Sequence, residues 1–142
     1  MKFLICLFIT HFISDFFFQS RNMGKKKSKE ILYLILHGNI LFFAFILCSF
    51  IFIEYNIAAM ISLSLVIIHC LQDWYIWRIY QYYVLVKLQN ENLGCTNKEL
   101  KEYINSEDYK YWEDYWFYVT LGLDQLLHFI TIILICIYWG VI

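Results

Sequence analysis

Four long apolar stretches dominate this chain, at about 3–19, 31–53, 57–80 and 115–142. Each is close to the roughly 20 residues that a helix needs to cross a bilayer. The AVILMFWYC set makes up 61% of the 142 residues and charged residues only 16%. A water-soluble domain of this size leaves too much of its surface wet to hide that much apolar side chain. An ordinary cytosolic enzyme, a disordered tail and a nucleic-acid-binding module are therefore excluded. The net charge of −1 argues further against nucleic acid, whose partners carry a basic face. The pattern predicts an all-α polytopic membrane protein, one transmembrane domain over 1–142 with four antiparallel helices surrounded by lipid.

The first stretch follows Lys2 and has the look of a signal peptide, but His11 and Asp15 interrupt it and no small-x-small cleavage site follows. It is read as a span. Five cysteines form no C-x-x-C pair, which gives no basis for a disulfide framework or a thiolate zinc site. With no proline, no span is kinked by that route.

Lys and Arg counts set the expected orientation. The connection 20–30 holds Arg21, Lys25, Lys26, Lys27 and Lys29, and the turn around Glu54 holds none. The connection 81–114 holds Lys87, Lys98, Lys101 and Lys110, with Arg78 just before it. Both basic connections are expected in the cytoplasm and both termini outside. The Lys25–Lys27 run reads as this orientation signal, with contact to anionic lipid phosphates as the alternative. Within 81–114, Thr96-Asn97-Lys98-Glu99 has the form of a capping box and predicts a short helix through Ile104. Tyr80, Tyr82, Tyr83, Tyr109, Tyr111, Trp112, Tyr115 and Trp116 bracket the segment as an aromatic belt at headgroup level.

Ionisable groups deep in a membrane are costly and are functional candidates by default. The spans hold three interior acids, Asp15, Asp73 and Asp124, and all four histidines, His11, His37, His69 and His128. Three pairs, His11/Asp15, His69/Asp73 and Asp124/His128, are four residues apart, so each pair shares one helix face. At 1.5 Å per residue the seven groups fall roughly 8–20 Å inside the cytoplasmic edge, in one layer. A shared polar cavity explains that level better than isolated interhelical hydrogen bonds worth on the order of 1 kcal/mol. Imidazole nitrogen and carboxylate oxygen are ligands for zinc and related ions, and seven such groups suffice for one or two metals. The expected ligands are His11, Asp15, His69, Asp73, Asp124 and His128, with His37 as an additional candidate. Asp15, Asp73 and Asp124 are the candidates for the catalytic base. Gln19 and Gln125 are the expected partners of substrate or ligands, because an amide both donates and accepts. Glu54 sits at a span boundary facing water. Ser14, Ser49, Ser62, Ser64 and Thr131 read as packing residues, and no G-x-S-x-G elbow is present.

The residues from His11 through Asp15 and Phe16 to Gln19, His37, the His69/Asp73 pair, and Asp124-Gln125 with His128 resemble a family of small bacterial and phage membrane proteins. That family is catalogued as domain of unknown function 3307, and the resemblance spans essentially the whole chain. It implies a membrane location and supplies no activity. In that pattern a Lys often follows the third-span Asp by about three residues; here Ile76 stands there, with Arg78 nearby as a substitute. A looser similarity links the buried His and Asp to membrane-bound metal-dependent hydrolases. The expected function is a divalent-metal-dependent hydrolase, using zinc or manganese, acting on a lipid-linked phosphate or ester. The alternatives are a proton or metal-ion pathway, built by homo-oligomerisation if one copy is too small, and a non-catalytic accessory protein in which the cluster only fixes helix register.

Overall fold

The computed structural model describes residues 1–91, 95–106 and 108–142. Six α-helices appear among them: α1 (Lys2–Phe16), α2 (Arg21–Lys26), α3 (Ile31–Ser49), α4 (Tyr55–Glu91), α5 (Asn97–Asn105) and α6 (Tyr115–Tyr138). A 3₁₀ turn at Tyr111–Glu113 precedes α6, and the described residues form no strand. Among the described residues α3, α4 and α6 are long and apolar enough to cross a membrane. The helix expected over 3–19 ends earlier, at Phe16. Its 15 residues rise about 22 Å, short of a hydrocarbon core about 30 Å thick.

α4 runs past the expected span. The span expected at 57–80 is part of a 37-residue helix that carries on to Glu91, so much of the expected connection 81–114 is helix. Residues 92–94 and 107 of that connection lie outside the described residues. The short helix predicted through Ile104 is present as α5. Its Thr96 hydroxyl accepts from the Glu99 N–H and the Glu99 carboxylate accepts from the Thr96 N–H. Ser20 caps α2 in the same way, accepting from Met23 N–H at 3.2 Å. At the far end of α6, Gly140 takes φ of 65°, letting Gly140 N–H reach Ile137 O and Val141 N–H reach Cys136 O.

The long helices are inverted relative to a soluble bundle. Leu32, Leu47, Leu63, Leu71, Leu123, Leu126 and Leu134 are exposed, while four histidines and three aspartates are buried. An apolar exterior of this extent fits a membrane protein. The apolar core takes Phe3 and Leu7 before His11, Leu41 and Phe45 after His37, Ile61 and Leu65 before His69, and Ile132 and Cys136 after His128. One half of the bundle is thus dry and the other half holds the charged groups. α3 and α4 approach closely at Gly38, where a Cβ would lie 2.9 Å from Cys70 Sγ and 3.4 Å from Val66 Cγ1.

Candidate functional site

Asp15 on α1, His37 on α3, His69 and Asp73 on α4, and Asp124 and His128 on α6 converge at one buried point. The four-residue spacing does what helix geometry requires. His69 Nε2 lies 3.1 Å from Asp73 Oδ2, and His128 Nε2 lies 3.4 Å from Asp124 Oδ1. His37 bridges helices, its Nε2 standing 3.1 Å from His69 Nε2 and 3.3 Å from both Asp15 Oδ1 and Asp73 Oδ2. The His69 and His128 rings stack at 3.9 Å between centroids. His11 is brought to the same place differently. Its ring packs edge-on against His69 and His128 at 5.2 and 5.0 Å, and neither of its nitrogens has a hydrogen-bond partner among the described residues.

The two glutamines are placed unequally. Gln125 Nε2 donates to Asp15 Oδ2 at 2.8 Å and lies 3.4 Å from Asp124 Oδ2, joining α6 to α1. Gln19 lies beyond the end of α1 against Gly24, where a Cβ would come within 2.9 Å of its Nε2. It lines the cavity and has no bond to the carboxylates.

One residue that sequence reasoning missed is Lys27. Read with Lys25 and Lys26 as an orientation signal or a contact for lipid phosphates, it is buried, its Nζ 3.0 Å from Asp15 Oδ1, 2.9 Å from Asp73 Oδ2 and 3.4 Å from His37 Nε2. Burial alone would lower the pKa of its ammonium, but Asp73 and Asp15 outweigh that and hold it above the ordinary lysine value. Ser28, next in the chain, fixes the insertion. Arg78 Nε donates to Ser28 O at 2.9 Å and Gln81 Nε2 to Ser28 Oγ at 3.0 Å. Arg78 also stacks on the Trp74 ring at 3.6 Å, so it serves as a clamp and the cation beside Asp73 comes from the 20–30 connection. Nothing in the sequence separates Lys27 from Lys25, Lys26 or Lys29. A second missed residue, Gln72, did leave a signal, being an amide inside an apolar stretch next to Asp73. Its Oε1 lies 2.8 Å from His128 Nδ1, while its Nε2 donates to Thr131 Oγ1 at 2.8 Å and Leu127 O at 3.3 Å.

Asp15, Lys27 and Asp124 also line a cavity of about 600 Å³. Its walls include Phe16, Trp77, Tyr80, Tyr109, Tyr111 and Phe117, and its basic lining includes Arg21, Lys25, Lys26 and Lys29. Two sets of atoms in the cluster could hold a metal ion, one from Asp15, His37, His69 and Asp73, the other from Asp73, Asp124 and His128.

An all-helical chain with three membrane-length helices and a buried His/Asp/Lys cluster is the class these features define. Within that class the chain belongs to the family described as protein of unknown function (DUF3307), which matches residues 3–142. No curated protein and no solved structure matches it.

Proposed function

We propose that this protein is a membrane-embedded, divalent-metal-dependent hydrolase acting on a lipid-linked phosphate or ester. One observation carries the reading: the buried carboxylates open, at Asp15 and Asp124, onto a cavity with basic side chains in its lining and aromatic walls. Such a cavity suits an amphiphile with an anionic head, and 600 Å³ lies in the usual range for small-molecule sites. A divalent ion on the cluster would supply an acidified water and polarise the scissile phosphoryl or carbonyl oxygen. In hydrolysis water adds to phosphorus or carbonyl carbon, and the bond to the leaving oxygen breaks. The proton released from water passes to Asp15, Asp73 or Asp124 and returns to the leaving oxygen.

The reading includes four antiparallel crossings with α1 as one of them, which Phe3 against Phe52 and Asp15 against His37 support. It places connections 20–30 and 81–114, and with them the cavity mouth, on the cytoplasmic side. The test is elemental analysis of purified protein followed by assay of a lipid phosphate and a lipid ester in detergent micelles. Metal content with hydrolysis that is lost on chelation supports the proposal; an absence of metal after reconstitution with zinc and with manganese ends it.

A proton or metal-ion pathway is the second reading, favoured by the chain of contacts from His37 through His69 to His128 and His11. Proton flux into liposomes that Asp15→Asn abolishes, with no hydrolysis by wild type, would replace the first reading with this one.

A further inference from the structure

We infer that the cluster is built for two cations of different kinds: one divalent metal ion on Asp73, Asp124 and His128, and the Lys27 ammonium in the second position, between Asp15 and Asp73. This rests on the hydrolase reading and divides its ligand set, which the sequence left as a single pool.

The Asp15, His37, His69 and Asp73 position is already filled by the protein itself. Lys27 Nζ lies 2.9–3.4 Å from Asp73 Oδ2, Asp15 Oδ1 and His37 Nε2. Zinc sits about 2.0–2.2 Å from oxygen and nitrogen ligands, so an ion and the ammonium exclude each other there. The other position offers three donor atoms. Asp73 Oδ1, Asp124 Oδ1 and His128 Nε2 are buried without a hydrogen-bond partner among the described residues. His128 Nε2 stands 3.7 Å from Asp73 Oδ1 and 3.4 Å from Asp124 Oδ1. Gln72 decides what that nitrogen offers. With its Nε2 committed to Thr131 and Leu127, it presents Oε1 to His128, which therefore donates from Nδ1. Nε2 then faces two carboxylate oxygens, an arrangement that repels unless a second proton or a metal cation stands between them. Second-partner hydrogen bonds of this kind orient metal-binding histidines.

Charge balance agrees. Asp15, Asp73 and Asp124 against one ammonium leave two negative charges, which one divalent ion neutralises. The shared Asp73 carboxylate turns one oxygen to each position, and two-metal hydrolases place their ions about 3.5–4 Å apart. Lys27 and Asp124 both line the cavity, which puts one residue of each cation position at its wall.

The test uses full-length protein in detergent, stripped with chelator, reloaded with zinc or manganese, and counted by elemental analysis. Wild type is expected to hold one equivalent. Asp124→Asn should bind at least tenfold more weakly, Lys27→Arg should keep one equivalent, and Lys27→Gln should take two. An amine-acetylating reagent read by mass spectrometry gives a measurement on wild type alone, in which Lys27 stays unmodified with metal bound. Two equivalents in wild type or in Lys27→Arg, one in Lys27→Gln, undiminished binding by Asp124→Asn, or labelling of Lys27 on metal loading would each overturn the division while leaving the hydrolase reading standing. Wild type without metal overturns both.

Discussion

Lys27 owes its position to neighbours on three helices, and its removal leaves Asp15 and Asp73 facing each other with no charge between them. Breaking a buried ion pair by deleting one partner costs about 3–5 kcal/mol, much more than the pair is worth against an apolar replacement. Lys27→Gln in metal-free protein should therefore lower the melting temperature in detergent sharply, and Lys27→Arg should recover most of the loss. Lys26→Gln, at the preceding residue but paired with Glu30 at the surface, should leave it unchanged. Equal melting of the Lys27→Gln and Lys26→Gln proteins would refute the role given to burial here. The same contrast explains what could be read from residues alone. His/Asp pairs at four-residue spacing announce a shared face because the helix period is fixed. A lysine in a basic connection announces nothing about burial, since that depends on Arg78 and Gln81 gripping Ser28.

Helix contacts carry the next set of consequences. At Gly38 an alanine would gain about 1 kcal/mol in helix propensity, yet overpacking of a tight contact costs about 1–3 kcal/mol. With Cys70 Sγ 2.9 Å from the added carbon, the clash wins and Gly38→Ala should destabilise the protein. In a Cys70→Ala background the sulfur is gone and the same change should stabilise, a reversal of sign that a double-mutant cycle reads directly. α5 responds to acid instead. The Thr96 N–H and hydroxyl bonds hold the Glu99 carboxyl below its ordinary value of 4.5. A depressed folded value means the cap contributes fully above pH 4.5 and is lost as pH falls through the lower, folded one. Hydrogen-exchange protection over 97–105 should drop across that window in wild type and show no such step in Glu99→Gln. A step that survives in Glu99→Gln would assign it to another group.

At the scale of the whole chain, the three membrane-length helices were legible because a long apolar run admits few other folds in water or lipid. The true ends of α1 and α4 were not. Helix continues from Gln81 to Glu91 where hydropathy has already fallen, and mixed polar and apolar residues there are equally consistent with a surface segment. Arg78 near the end of the expected span and Gln81 at the start of the extension both reach Ser28, and Asn105 on α5 bonds Lys29, which ties α4 and the segment after it to the connection 20–30. Whatever side of the membrane one occupies, the other shares, and the cavity between them opens there. Cys95 reports that side, being exposed while Cys48 and Cys136 are buried and Cys6 and Cys70 are half-buried. On the proposed topology, a membrane-impermeant maleimide should leave Cys95 unlabelled in intact cells and label it in inside-out vesicles, with Cys95→Ser removing the signal. Labelling from the outside would turn the basic connections, the cavity and the proposed leaflet of substrate access around together, since Lys27 can reach Asp15 and Asp73 from only one face of the bundle.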